Sequence, residues 1–188
     1  MSTLPRILGL VAAVLTLGPA MASGHPHVFI DYSIVFVVGA RGAESIRMEW
    51  TFDEMYSAML LQRYDTDRNG VLSPGEAKTM HEQHFARLGE DHHFIELKAG
   101  GQMVPVRGVR DFQAKAVKGI VTYGFTVPLP SLDAAQGVVE ISLTDEEFYV
   151  AFSVGPGPTR IDAPPTYQAE CAVIGDNEGV RCRYSSAR

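Results

Sequence analysis

The sequence predicts an α+β fold, in which a mainly antiparallel, β-sandwich-like domain carries one inserted helix–loop–helix. Three observations support this prediction. Most of the chain after residue 26 consists of short runs of alternating apolar and polar side chains, the pattern of half-buried strands. Turns rich in glycine and proline separate these runs. Over residues 53–89, apolar side chains instead recur at helical spacing.

The N-terminal residues 1–22 are predicted to be a signal peptide. An apolar run over residues 7–17 follows Arg6, and Ala20 and Ala22 supply the small residues of a cleavage site. This run is short for a bilayer span, although an N-terminal membrane anchor is the alternative. No other apolar run approaches about 20 residues. We therefore expect a single β-rich domain over residues 23–188, without a membrane span, in the periplasm or secreted.

The elements are predicted in the following order. Residues 27–38 and 44–52 form two strands, and a helix then leads into an acidic loop. Ser73, followed by proline and by Glu76 three positions on, predicts a capping box and the start of a second helix that ends near residue 89. Further strand patterns follow over residues 93–99, 106–117, 120–129, 138–143 and 147–154.

The acidic loop, DTDRNGVLSPGE at residues 65–76, fits the twelve-residue calcium loop of an EF-hand. Gly70 permits the sharp turn at the sixth position, and Leu72 provides an apolar anchor. Calcium prefers hard oxygen ligands, and the loop offers one at each position where an EF-hand needs it. The predicted ligands are Asp65, Asp67, Asn69, Val71 through its carbonyl, Ser73 through a water, and Glu76.

The expected role of this calcium is structural. Sensor EF-hands usually occur in pairs, whereas this chain contains a single loop, and a lone exported site suits calcium at about 10⁻⁴–10⁻³ M. The alternative interpretation is a turn held by its own hydrogen bonds, without an ion.

Histidines near the mature N-terminus suggest a second metal site. His25 and His27 are two residues apart at the start of a strand, so both can face the same side as Asp31. Two imidazoles and a carboxylate suit zinc, nickel or copper. If cleavage follows Ala22, the mature chain begins Ser23-Gly24-His25, whose amine, amides and imidazole can bind copper(II) or nickel(II) in a square plane. The alternative is two solvent-exposed histidines without a metal.

Other histidines could complete this site. His84 belongs to the run HEQH, which is one residue short of the H-E-x-x-H protease motif, and packing is its alternative role. His92 and His93 are predicted to point to opposite faces of a strand, so at most one of them joins the site. The predicted transition-metal set is therefore His25, His27, Asp31, His84 and His92.

The remaining features limit the function classes. Cys171 and Cys182 are expected to form a disulfide in an oxidising compartment, with two free thiols as the alternative. The net charge of −6 and the scattered basic residues give no indication of nucleic-acid binding. No nucleophile-elbow, phosphate-loop or dinucleotide motif is present, so we expect no enzymatic activity.

Four segments together resemble a family of bacterial periplasmic proteins known as domain of unknown function 1007. They are HPHVFID, EWTFDEMYSAMLLQRYDTDRNGVLSPGE, FTVPL and EEFYVAFSV, and the resemblance covers residues 25–154. Members of the family are described as periplasmic components of an ABC-type transport system. They tend to be encoded beside membrane proteins that look like nickel/cobalt exporters. The resemblance implies a role in transition-metal handling.

Three hypotheses follow. The first is a periplasmic, calcium-stabilised accessory protein that binds or delivers zinc, nickel or copper for a membrane metal transporter. The second is a calcium-dependent protein-interaction module of the cell envelope, in which the N-terminal histidines are incidental. The third, a hydrolase with a histidine-bound metal, is the least favoured, because no further acid or base stands out beside the histidines.

Overall fold

The computed structural model describes residues 26–156, 159–176 and 179–187. The described strands, in chain order, are β1 (Val28–Gly39), β2 (Gly42–Phe52), β3 (Ile95–Ala99), β4 (Gln102–Met103), β5 (Arg110–Val117), β6 (Ile120–Pro128), β7 (Gln136–Leu143), β8 (Val150–Val154), β9 (Arg160–Asp162), β10 (Tyr167–Ile174) and β11 (Gly179–Ser186). Between β2 and β3 lie helix α1 (Glu54–Tyr64), helix α2 (Pro74–Gln83) and a 3₁₀ helix (Phe85–Phe94).

The strands form two sheets, as the sequence predicted. The first sheet has the order β5-β6-β2-β1-β8, with β9 also paired to β1, and the second has the order β10-β11-β7-β3-β4. Most neighbours are antiparallel, but β8 and β9 pair with β1 in parallel. The β1–β2 hairpin places β2 along one edge of β1. Strands β8 and β9 lie along the opposite edge and run in the same direction as β1. The first sheet is therefore mixed.

The inner face of the first sheet follows the alternation seen in the sequence. Every second side chain of β1 is buried from Val28 to Val38, and Tyr32 lies opposite Trp50 of β2. At one end of this face, Phe36 packs on Tyr184 of the second sheet with ring centroids 6.1 Å apart. Burying such large apolar side chains stabilises the fold by about 1.5–3 kcal/mol each.

At the other end of the inner face, the helical segment replaces the second sheet as the packing partner. Trp50 meets Phe85 of the 3₁₀ helix at 6.2 Å and Phe125 of β6 at 5.0 Å, both edge-on. Phe85 also stacks against Phe112 of β5 at 4.4 Å. One aromatic cluster thus joins the helices to the sheet.

The second helix is shorter than predicted. Helix α2 ends at Gln83, because His84 leaves helical dihedral angles (φ −123°, ψ −69°) and the following Phe85 turns fully into the core. The chain continues as the 3₁₀ helix, whose last three residues, His92 to Phe94, have left-handed φ values of 51°, 55° and 58°. The predicted strand at 93–99 therefore begins only at Ile95.

Two further strands also begin later than their patterns suggested. The strand predicted at 106–117 starts at Arg110, and Asp111 then interrupts the register with a φ of 58°. The strand predicted at 147–154 starts at Val150, because the carboxylate of Asp145 accepts hydrogen bonds from the amides of Glu147, Tyr149 and Val150. Asp145 thus has a structural role in this turn.

The C-terminal hairpin contains the expected disulfide. Cys171 of β10 and Cys182 of β11 face each other in the register and are bonded. Within the hairpin, the Cys182 side chain is buried. Across the described residues, no helix has the length and apolar character needed to cross a membrane.

Candidate metal-binding loop and histidines

The N-cap of α1 fixes the acidic loop relative to the sheet. Asp53 accepts hydrogen bonds from the amide of Tyr56, which closes the first turn, and from the amide of Phe29 in β1, both at 2.8 Å. The amide of Asp53 in turn donates to the carbonyl of Phe29 at 3.0 Å. The sheet therefore determines where α1 begins, and with it the position of the loop that follows.

The first half of the loop is folded by its own polar side chains. The carboxylate of Asp65 accepts hydrogen bonds from the amides of Asn69 at 3.1 Å and Gly70 at 2.8 Å. The amide oxygen of Asn69 accepts one from Val71 at 2.8 Å. Gly70 has a φ of 78°, in the left-handed region that favours glycine. The chain thereby reverses around the side chains of the loop.

The second half of the loop is tied to the first by Glu76. Its Oε1 accepts hydrogen bonds from the amide and hydroxyl of Thr66 at 2.6 and 2.8 Å. Its Oε2 accepts them from the amide and hydroxyl of Ser73 at 2.9 and 2.8 Å, in the predicted capping box. The hydrogen bond from the Ser73 amide, followed by those from Thr66, lowers the pKa of Glu76 to about 2. Glu76 is therefore a carboxylate at neutral pH.

Three acidic side chains converge in this loop. Asp65, Asp67 and Glu76 each offer a carboxylate oxygen, and these oxygens all lie within 4.8 Å of one another. Among the residues that the structure describes, these three side chains are the group whose ligand atoms lie close enough together to hold a metal ion. Hard carboxylate oxygens at this spacing fit calcium rather than a soft transition metal.

The other predicted loop positions are compatible with this arrangement. Val71 is exposed, and Leu72 is buried in the core, as an anchor of the loop requires. Asn69 holds its side-chain NH₂ on Asp67 at 2.8 Å. Ser73 at the ninth position caps α2 through its hydroxyl.

The predicted transition-metal residues near the N-terminus are only partly described. His25 lies outside the described residues. His27 is exposed, and its ring centroid lies 5.1 Å from that of Tyr149. Asp31 is exposed on β1, two strand positions beyond Phe29, which also points outward. His27 and Asp31 therefore belong to the outer face of the sheet.

His84 is half-buried instead and lies between two tyrosines. Its Nε2 hydrogen-bonds the hydroxyl of Tyr56 at 2.8 Å, and its Nδ1 hydrogen-bonds the hydroxyl of Tyr123 at 3.0 Å. Burial, followed by the positive charges of Arg63 and Arg87, lowers the pKa of His84 below its usual value. Both ring nitrogens are thus occupied, and the ring is kept neutral.

His92 and His93 lie on opposite sides of the chain, as predicted, but through a left-handed turn rather than a strand. His92 is exposed and lines a groove that also includes Tyr149 and Glu90. His93 is buried against Phe85, with ring centroids 4.8 Å apart.

The described members of the transition-metal set do not form a cluster of ligands. His27 and His92 lie near the same tyrosine, Tyr149, whereas His84 is held between two other tyrosines. Within the described part of the chain, no group of three potential ligands includes any of them. The transition-metal site therefore stays a prediction that depends on His25.

The sequence contains no local signal for the partners of His84 and Glu76. Tyr56 and Tyr123 are 28 and 39 positions from His84, so no local pattern links them. Thr66 occupies the second loop position, where the motif allows any residue, and its two hydrogen bonds to Glu76 have no signal in the motif.

These features define a class of protein: a β-rich domain of two sheets with an inserted helix–acidic loop–helix. The chain belongs to the family described as Protein of unknown function (DUF1007), whose sequence profile matches residues 10–174. The match extends beyond the resemblance at 25–154 and includes the whole of the hairpin strand β10. A search of curated proteins found no match.

Proposed function

We propose that this chain is a calcium-binding accessory protein of the bacterial periplasm, in which calcium stabilises an EF-hand-like helix–loop–helix. The observation that carries this proposal is the convergence of Asp65, Asp67 and Glu76, whose oxygens lie within 4.8 Å of one another. Three carboxylates this close repel one another, and a divalent cation between them removes that repulsion. Calcium therefore supplies a structural cross-link between α1 and α2.

The remaining ligands follow from the loop positions. Asn69 supplies its side-chain oxygen, Val71 its carbonyl oxygen, and Ser73 acts through a water. The carboxylate oxygens of Glu76 already accept hydrogen bonds from Thr66 and Ser73, but each oxygen keeps further acceptor capacity for an ion. These hydrogen bonds hold Glu76 in place for bidentate binding.

A calcium titration of two matched variants tests this proposal. Glu76→Gln and Glu82→Gln remove the same charge from the same helix, but Glu82 is exposed and, among the described residues, forms an ion pair with Lys78 at 3.8 Å. We expect millimolar calcium, but not magnesium, to raise the melting temperature of wild type and Glu82→Gln. Glu76→Gln should show no calcium-dependent shift. An unchanged melting temperature in wild-type protein, or an equal shift in both variants, would contradict the proposal.

Transition-metal handling is the second part of the proposed function. It is supported by the family resemblance, by the exposed position of His27 and by the sequence Ser23-Gly24-His25 at the expected mature N-terminus. In this arrangement, the accessory protein presents zinc, nickel or copper to a membrane metal transporter.

The test uses calcium-saturated protein whose N-terminus has been determined by mass spectrometry. Zinc, nickel and copper are titrated calorimetrically into wild type and into the double variant His25→Ala with His27→Ala. We expect one-to-one binding of one of these metals in wild type and its loss in the double variant. The variant should keep the calcium response of wild type. Equal transition-metal binding by both proteins would contradict this part.

A specific surface feature favours an alternative, the calcium-dependent interaction module. Phe29, Met55, Phe148 and Tyr149 are large apolar side chains with exposed fractions of 53%, 70%, 70% and 53%. The turn built around Asp145 holds Phe148 outward, with a φ of 56°. Under this alternative, pull-down of a periplasmic protein requires calcium and is lost in both Phe148→Ala and Glu76→Gln.

A further inference from the structure

A groove of about 650 Å³ lies between the C-terminal ends of α1 and α2. Its apolar lining includes Leu60, which is buried, and Leu88, which is half-buried. Its polar lining includes Arg63 of α1 and Arg87 of the 3₁₀ helix. The groove has the size of a small-molecule site, with an apolar floor and a few polar groups.

Two arginines, Arg63 and Arg87, give this groove of an acidic protein its positive charge. The chain has 22 acidic and 16 basic residues, and the ion pairs found among its described residues use other basic side chains. Neither Arg63 nor Arg87 forms an ion pair with a carboxylate in the described part of the chain. Both guanidinium groups act on the same histidine, His84, which also lines the groove. Two positive charges from separate elements therefore converge on one apolar cleft.

His84 forms a wall of this groove rather than one of its binding groups. Both of its ring nitrogens are hydrogen-bonded by Tyr56 and Tyr123. A ligand in the groove therefore meets an uncharged ring and finds its positively charged hydrogen-bond donors on Arg63 and Arg87. Guanidinium groups are planar donors that match a carboxylate in a bidentate geometry.

We infer that this groove binds a small organic carboxylate with an apolar body, whose carboxylate lies between Arg63 and Arg87 and whose body packs on Leu60 and Leu88. Inorganic anions lack the apolar part and neutral analogues lack the charge, so both should bind more weakly. This site is separate from the calcium loop, although Arg63 also lines the adjoining groove that contains Asp67 and Glu76. Because those carboxylates attract the Arg63 guanidinium, the site is tested with calcium saturating.

Hexanoate is a suitable probe, with hexanol and inorganic phosphate as comparison ligands. In ¹H–¹⁵N spectra, hexanoate should shift the amide signals of residues 59–63 and 83–88. In Arg63→Gln with Arg87→Gln, hexanoate affinity should fall about tenfold, as expected for losing exposed charge-assisted contacts. Arg63→Lys keeps the charge but loses the bidentate geometry and should give an intermediate affinity.

The matched control is Arg41→Gln with Arg107→Gln, which changes the net charge equally at two exposed positions outside the groove. It should bind hexanoate like wild type. Circular dichroism establishes that both double variants keep their secondary structure, which is expected because all four arginines are exposed. Absence of hexanoate binding, equal binding of hexanol, or equal loss in both double variants would overturn the inference.

Discussion

The hydroxyl of Ser57 accepts a hydrogen bond from the amide of Val121 at 3.0 Å and so joins α1 to the start of strand β6. The same hydroxyl donates to the carbonyl of Phe52 at 3.3 Å. Ser57 is fully buried, so water cannot replace either partner. Together with the N-cap at Asp53, this contact attaches the helix that leads into the acidic loop to two strands of the first sheet.

Replacing this serine should therefore destabilise the protein. In Ser57→Ala the amide of Val121 loses its buried acceptor, which costs about 1–3 kcal/mol in the free energy of unfolding. Urea unfolding measures this cost, with Ser131→Ala at an exposed loop position as the control, for which we expect a change within about 0.5 kcal/mol. Equal stabilities of the two variants would show that the Ser57 contact contributes nothing.

The half-buried His84 should make the free energy of unfolding depend on pH. Its pKa in the folded protein is lowered from 6.5, first by burial and then by Arg63 and Arg87. Below pH 6.5 the unfolded chain therefore binds a proton that the folded chain does not, and the free energy of unfolding falls as the pH decreases toward the folded pKa. In His84→Gln this component of the slope is absent.

Urea unfolding between pH 5 and pH 7.5 measures the two slopes, and an NMR titration of His84 gives its pKa directly. Burial also lowers the pKa of His93, so the variant should keep a smaller residual slope of the same sign. Identical slopes for wild type and His84→Gln, together with a His84 pKa at its ordinary value, would contradict this assignment.

The disulfide should stabilise the C-terminal hairpin through a short loop. Its cysteines are 11 positions apart, and a closed loop of this length contributes about 2–3 kcal/mol by the chain-entropy estimate. Cys171→Ala with Cys182→Ala should lower the free energy of unfolding by up to this amount, measured by urea unfolding without reductant. Wild-type protein should respond to reductant and the variant should not. A reductant effect of equal size in both would exclude the disulfide as its cause.

The sequence predicted best those features that are local in the chain. The acidic loop is defined within twelve consecutive residues and the capping box by Ser73 and Glu76, three positions apart, so spacing alone is informative for both. Alternation likewise predicted the buried face of β1. These features depend on backbone geometry that repeats at fixed intervals, which is what a pattern can record.

Contacts between distant segments could not be predicted in this way. The parallel pairing of β1 with β8 and the position of His84 between Tyr56 and Tyr123 join residues with no fixed spacing. The end of α2 was also misplaced, because helical periodicity continues through Phe85 while the chain turns that ring into the aromatic core. Tertiary packing overrides local preference at such positions.

Two glycines of the acidic loop provide a matched test of its backbone. Gly70 has a φ of 78°, whereas Gly75 is helical, and an added Cβ would meet nothing within 4 Å at either position. In Gly70→Ala the strain therefore comes from the backbone alone. The free energy of unfolding, measured with urea in the absence of calcium, should fall by about 1–2 kcal/mol. Gly75→Ala reduces the conformational freedom of the unfolded chain, so its free energy of unfolding should rise by up to about 1 kcal/mol.

Under the proposed function, the two variants should also differ in their response to calcium. Gly70→Ala should need a higher calcium concentration for the same thermal shift, because the turn at the sixth position brings Asp65 and Asp67 toward the ion. Gly75→Ala should respond like wild type. Equal stabilities of the two variants would mean that the loop backbone relaxes freely around Gly70, and equal calcium responses would mean that this turn does not organise the ligands.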